Sequence, residues 1–193
     1  MEKRSTKKEF ITAFWKLYAD QPLEKISIHQ LCLSTGYHRN TFYNHFENIY
    51  DLLDQAIEDL LSPIKDRVSL ISDFRLLLQK DVWEALFSGV LSRQSSHIEL
   101  LFKRKSYYLL AEKVKGEIIA NIKEQLKDSR IDFDMIEILL EYQISAVFGV
   151  INYRYQKDRS LSEEDIIQKI YQISSKGVFP SLKEELDKGE LIR

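Results

Sequence analysis

The chain has 193 residues, six Gly, three Pro, a single Cys and a formal net charge of −2. Gly and Pro together make up about 5% of it, against a usual figure near 12%, which excludes a fold of many short strands joined by tight turns and favours long helices. The lone Cys32 excludes a disulfide framework or a cysteine-based zinc finger, and the longest stretch without Asp, Glu, Lys or Arg, 13 residues at 26–38, falls short of the ~20 apolar residues that span a membrane.

The opening residues MEKRSTKKEF lack the apolar core and small-residue cleavage site of a signal peptide, so a cytoplasmic location is expected. Phe10, Ile11, Phe14, Leu17 and Tyr18 then form one apolar stripe of a helix beginning near Ser5 or Thr6. Pro22 ends that helix, because proline disfavours helical backbone in the residue before it. Ser27 is placed to cap a short second helix with Ile28, Leu31 and Cys32 on its apolar side. Thr35-Gly36-Tyr37 interrupts the pattern, and a third short helix is predicted over 38–46. Asn48, with Asp51 three residues on, marks the start of a fourth, carrying Leu52, Leu53, Ala56, Ile57, Leu60 and Leu61.

Ser62-Pro63 reads as a boundary, either a new N-cap with proline in the first turn or a kink. Helical segments are predicted near 63–79, 80–93, 96–104, 106–127, 134–157 and 162–177, with Asp134 and Ser162 capping the last two. Gly177 followed by Val-Phe-Pro is a stop, and a short helix near 181–188 completes the chain. The reading is all-α, about nine helices. It divides into a helix-turn-helix domain at 1–50 with a connecting helix at 48–62, and a C-terminal helical bundle at 63–193.

Residues 27–46 have the layout of a helix-turn-helix, in which the second helix enters the DNA major groove. Phe42 and Phe46, four apart, face inward and leave Arg39, Asn40, Tyr43 and Asn44 on the other side. Arg reads guanine and Asn reads adenine, while Tyr and Thr meet phosphate oxygens. Residues 1–50 carry seven Lys and Arg against five Asp and Glu, and three of the four His lie there too. That asymmetry favours a nucleic-acid-facing N-terminus only weakly. Periodicity and spacing alone suit two short core helices of another bundle equally well.

Residues 6–61 closely resemble the N-terminal domain of the TetR family of transcriptional regulators. The resemblance is carried by Asp20-Gln21-Pro22, by Ile26-Ser27-Ile28-His29-Gln30-Leu31-Cys32, by the run from Thr35-Gly36-Tyr37 through Thr41-Phe42-Tyr43-Asn44-His45-Phe46, and by Tyr50-Asp51-Leu52-Leu53. It covers roughly 30% of the chain. The resemblance implies a DNA-binding set of Ser27, His29, His38, Arg39, Asn40, Thr41, Tyr43, Asn44 and His45. In that set His29 reaches a base from the second helix, and Ser27 and Tyr43 meet phosphates. Phe42 and Phe46 match core positions. Two positions depart from the family pattern. Ile49 stands where the family usually has Lys, which removes a phosphate partner and either weakens binding or shifts the load to Lys3, Arg4, Lys7 and Lys8. Cys32 occupies a slot usually filled by Ala and is expected to be buried.

The resemblance further implies a dimer formed through the helices near 134–157 and 162–177. The charge-free run 142–153 and the small residues Ser145, Ala146 and Gly149 suit close helix packing there. Trp83, Phe87, Phe102, Tyr108 and Tyr142, with Tyr107, are candidates for an effector pocket, although core packing accounts for them equally well. The implied function is a regulator, most often a repressor, that holds a pseudo-palindromic double-stranded operator as a homodimer and lets go when an effector binds the C-terminal domain. In the alternative, a partner protein supplies the signal, as for the activator of the dihydroxyacetone kinase operon. No enzyme activity, cofactor or metal is expected. His38 and His45 are about 10 Å apart along a helix, and no G-x-S-x-G, G-x-G-x-x-G or P-loop pattern is present. Lys103-Arg104-Lys105 is read as a solvated helix end rather than a second nucleic-acid patch.

Overall fold

A computed structural model describes residues 5–69, 73–82, 95–127, 132–157, 162–180, 183–184 and 187. All regular elements among these residues are helical, as expected. The chain forms two compact units, 1–60 and 61–193.

In the first unit, α1 (Thr6–Asp20) leads through a 3-10 turn (Leu23–Lys25) to α2 (Ile28–Thr35), α3 (Arg39–Tyr43) and the start of α4 (Ile49–Ser69). Phe10, Phe14 and Tyr18 are fully buried along α1, with Ile11, Ala13 and Trp15 beside them, so the buried arc is wider than the predicted stripe, and Leu17 is only half-buried. The Phe10 ring meets the edges of Phe42 at 5.5 Å and Phe46 at 6.2 Å, and lies 5.6 Å from Tyr37. Such ring pairs add to the area they bury, and they fix how the two short helices sit on α1.

The local signals behave as their chemistry dictates. Ser27 caps α2 reciprocally: its Oγ accepts from the Gln30 N–H at 3.2 Å, and Gln30 Oε1 accepts from the Ser27 N–H at 2.9 Å. Gly36 closes α2 at φ 76°, donating its N–H to the Cys32 carbonyl at 2.9 Å, a left-handed conformation that glycine adopts without a side-chain penalty. Asn48 Oδ1 accepts from the Tyr50 and Asp51 N–H groups, and Asp51 Oδ2 accepts from the Glu47 N–H, so α4 starts where expected. The third helix is shorter than the predicted 38–46. The Phe42 carbonyl accepts from both the His45 and Phe46 N–H groups at 3.0 Å, and this tightening ends the regular helix at Tyr43.

Ser62-Pro63 starts no new helix, since α4 runs through Pro63 to Ser69, while the two compact units divide two residues earlier, between Leu60 and Leu61. Proline removes one intrahelical hydrogen bond, while buried Leu60, Leu61 and Val68 keep the helix anchored on either side. The predicted segment 63–79 is accordingly divided between the end of α4 and a 3-10 turn (Phe74–Leu78) capped by the Asp73 side chain. Of the predicted 80–93, only 80–82 is described, and it is helical.

The second unit continues with α5 (Ser95–Lys103), α6 (Tyr107–Leu126), α7 (Phe133–Lys157) and α8 (Glu163–Lys176). The α5 end is a Schellman turn. Ser106 donates to the Leu101 carbonyl and Lys105 to the Phe102 carbonyl, with Lys105 at φ 60°. Asp132, not Asp134, caps α7, its Oδ1 accepting from the Asp134 and Met135 N–H groups. Ser162 caps α8 with Asp165 as expected. Past Gly177 a further helical turn at 178–180 buries Val178 and Phe179, and the predicted helix at 181–188 lies largely outside the described residues.

The α7 face toward the core carries Ile136, Leu140, Ile144, Val147, Phe148 and Ile151, with Ile166, Ile167 and Ile170 facing in from α8. Gln143 is buried among them and donates from Nε2 to Ser174 Oγ at 2.8 Å, which satisfies a polar pair inside the α7–α8 contact. Lys115 ties α6 to α7 by donating to Glu112 at 2.7 Å and Glu141 at 2.8 Å. Those hydrogen bonds raise the Lys115 ammonium above its ordinary range and hold the Glu141 carboxyl below its own.

Candidate nucleic-acid interface

With Phe42 and Phe46 turned into the core, helical geometry sends the intervening side chains outward. His38 occupies the N-cap of α3, and Arg39, Asn40, Tyr43, Asn44 and His45 are all exposed, while Thr41 is half-buried. On α2, Ser27 and His29 are exposed as well. The Ser27 hydroxyl is already engaged by its capping partner, donating to Gln30 Oε1 at 3.0 Å.

Arg39 and Tyr43 form the most organised pair on this surface. Arg39 Nη2 donates to the Tyr43 hydroxyl at 3.0 Å, and the guanidinium lies 5.5 Å from the Tyr43 ring centroid. Both contacts come from i, i+4 spacing, and they hold a five-donor fork outward before any ligand arrives.

Between α2 and α3 lies an open depression of about 440 Å³, lined by His29, Cys32, Leu33, Gly36, Tyr37, His38 and Arg39. Cys32 is half-buried rather than buried, because it forms part of this wall. Leu33, 71% exposed, was missed by the sequence reading. Its position four residues after His29 is the signal that puts both on one face of α2.

The second unit presents a different surface. Met135, Ile138, Tyr142, Val150 and Tyr153 of α7 and Ile173 of α8 are exposed. A groove of about 400 Å³ runs between the two helices, with Tyr142, Ala146, Val150, Ile173 and Gly177 among its walls. The charge-free stretch of α7 is therefore left partly open by the described residues.

No protein-family model and no curated protein sequence matches the chain. Among solved structures, it is similar to a TetR-family transcriptional regulator from Streptomyces coelicolor, with a TM-score of 0.52 at 15% identity, covering 93% of this chain and 98% of that one. The chain has a TetR-like fold. Within this TetR-like fold Ile49 is the first, half-buried residue of α4, and Lys8 on α1 is exposed with Lys7 half-buried; Lys3 and Arg4 lie outside the described residues.

Among the described aromatic candidates for an effector pocket, Phe102 and Tyr107 are brought together, while Tyr108 and Tyr142 lie elsewhere. Phe102 is buried in a ring stack, 4.9 Å from Tyr107 and 4.9 Å from Tyr155, with Phe148 at 6.2 Å. Tyr108 is exposed, and Tyr142 lines the α7–α8 groove instead. Trp83 and Phe87 lie outside the described residues. Lys103 pairs with Glu99 at 2.7 Å across one turn of α5, and Lys105 belongs to the Schellman turn, so the basic trio sits at a helix end. Among the described residues no three His, Cys, Asp or Glu converge as a metal site, and no helix is long and apolar enough to cross a membrane.

Proposed function

We propose that the protein is a DNA-binding transcriptional regulator acting as a homodimer, and that it represses until a signal received by the second unit releases it from its operator. The observation that carries this reading is the outward Arg39–Tyr43 pair on α3, seated by buried Phe42 and Phe46 and flanked by exposed Asn40, Asn44 and His45. Those side chains match the donor and acceptor pattern of major-groove base edges and phosphates. A dimer reads two half-sites about 34 Å apart, which calls for a pseudo-palindromic operator. The open apolar face of α7 and α8 supports the dimer, since a second copy buries it by twofold symmetry.

The input we infer is a ligand bound by the second unit, with a partner protein as the alternative.

Fluorescence anisotropy with duplexes tiling the DNA that flanks the gene tests the reading. Specific binding that weakens with salt is expected, and Arg39→Ala is expected to cost about 1–3 kcal/mol and to relax preference at one base pair. Binding that is indifferent to both sequence and this substitution overturns the assignment of α3 as the recognition helix.

A further inference from the structure

The helix-turn-helix is almost free of permanent charge. From 26 to 46 the sequence contains no Asp, Glu or Lys, and Arg39 is the single permanently charged side chain. The same segment holds three of the four histidines, His29, His38 and His45, and all three are exposed. His29 and His38 both border the α2–α3 depression together with Arg39. His45 stands at the other end of α3, its ring 6.1 Å from Phe46 and its carbonyl accepting from Gln55 Nε2. Protonation of all three imidazoles therefore takes the recognition segment from one positive charge to four.

We propose that DNA binding by this protein is proton-coupled through His29, His38 and His45, so that affinity rises as pH falls toward 6. The inference rests on the DNA-binding reading above and adds regulation to the same surface. A duplex is a dense line of negative charge, and it holds an imidazolium placed against it more firmly than water does. By linkage, whatever raises the proton affinity of these groups on the bound protein raises DNA affinity in the protonated state by the same factor. Imidazole is the side-chain type whose charge changes between about pH 5 and 8.

The surrounding charges are of fixed kinds. The depression adds Cys32 and Tyr37 to Arg39, and Tyr43 lies one turn along α3. On the neighbouring α1 stand Lys7, Lys8, Glu9, Lys16 and Asp20, and on the 3-10 turn Glu24 and Lys25. Glu47, Asp51 and Asp54 lie at the start of α4, where the Asp51 carboxylate is occupied by the Glu47 N–H and by Gln55 Nε2. Carboxylates and ammonium groups as a class keep their charge in this interval and thiols as a class ionise mainly above it, so imidazole is the side-chain type through which the charge of the surface would change.

The test measures binding of the full-length protein to duplexes tiling the gene's flanking DNA at about pH 8 and about pH 6, at fixed ionic strength. Calorimetry in two buffers of different ionisation enthalpy counts the protons taken up. Affinity is expected to rise roughly tenfold or more toward the lower pH, with net proton uptake and a salt dependence steeper by about 0.9 for each imidazolium that meets a phosphate. The triple variant His29→Gln, His38→Gln, His45→Gln is expected to lose that pH dependence whatever its absolute affinity, while His97→Gln, on α5, keeps it. If the triple variant binds too weakly to follow, the three single variants replace it, each expected to flatten the dependence in part. An affinity unchanged by pH with no proton uptake overturns the proposal while leaving the regulator intact. So does an equal rise in wild type and triple variant, or undiminished dependence in all three single variants. Absence of binding to any duplex at either pH overturns the regulator reading itself and this proposal with it.

Discussion

Ile173 offers a direct test of the dimer. It projects from α8 with 67% of its surface exposed and forms part of the α7–α8 groove wall. Full burial of an isoleucine side chain contributes about 1.5–3 kcal/mol, so covering the exposed two-thirds contributes about 1–2 kcal/mol per copy. A twofold axis repeats the contact, giving about 2–4 kcal/mol for the pair, or about 30- to 700-fold in the dimer dissociation constant. Ile173→Glu forfeits this and adds a carboxylate that must be desolvated, so the range is a lower bound. Sedimentation velocity over a concentration series measures the shift toward monomer, and circular dichroism verifies that the helices persist. A variant that keeps its helical signal and dimerises as tightly as wild type refutes the assignment of this face. A wild-type protein that stays monomeric at every concentration removes the premise.

Tyr43→Phe keeps the ring beneath Arg39 but removes the hydroxyl, and is expected to weaken all duplexes alike by ~0.5–1.5 kcal/mol; a changed base preference in a binding-site selection contradicts the phosphate role. Gly36→Ala meets no steric obstacle within 4 Å, so its expected destabilisation of ~1–2 kcal/mol arises from the positive φ alone. Thermal unfolding followed at the first unit, with wild-type stability, dismisses that account. Ser174→Ala leaves the buried Gln143 amide without its acceptor and is expected to cost ~1–3 kcal/mol in urea denaturation, and Gln143→Leu in the same background is expected to recover part of it.

The first unit was legible because its determinants are local. The Ser27 cap, the left-handed Gly36, the Asn48–Asp51 start and the inward Phe42–Phe46 pair each depend on residues within four positions of one another. The α3 limit was misjudged because the sharing of the Phe42 carbonyl between two donors is a backbone event with no residue-type signature. The continuity of α4 through Pro63 was hidden for a related reason. A proline penalty of about 3 kcal/mol competes with burial of flanking leucines, and sequence displays the penalty while hiding the burial. In the second unit the aromatics were visible, but their grouping depends on which helices meet. Phe102 finds Tyr155 across 53 positions to form a stack, and that is a tertiary fact.

The proposed DNA-facing surface combines a rich hydrogen-bonding set with few permanent charges, and the two properties constrain each other. Each phosphate neutralised contributes about 0.9 to the slope of log affinity against log salt, so a segment whose permanent charge is Arg39 alone supplies little non-specific attraction. On the same reading Ile49, at the head of α4 where the resembled family usually carries lysine, removes another such contact. On the proposed reading, the free energy of operator recognition is weighted toward base-edge contacts from Arg39, Asn40 and Asn44, which discriminate, and away from phosphate contacts, which do not. A shallow salt slope combined with a large penalty for mismatched duplexes is the expected signature. A steep slope with little discrimination indicates instead that α1, through Lys7 and Lys8, carries the attraction, and that α3 reads less of the sequence than its side chains equip it to read.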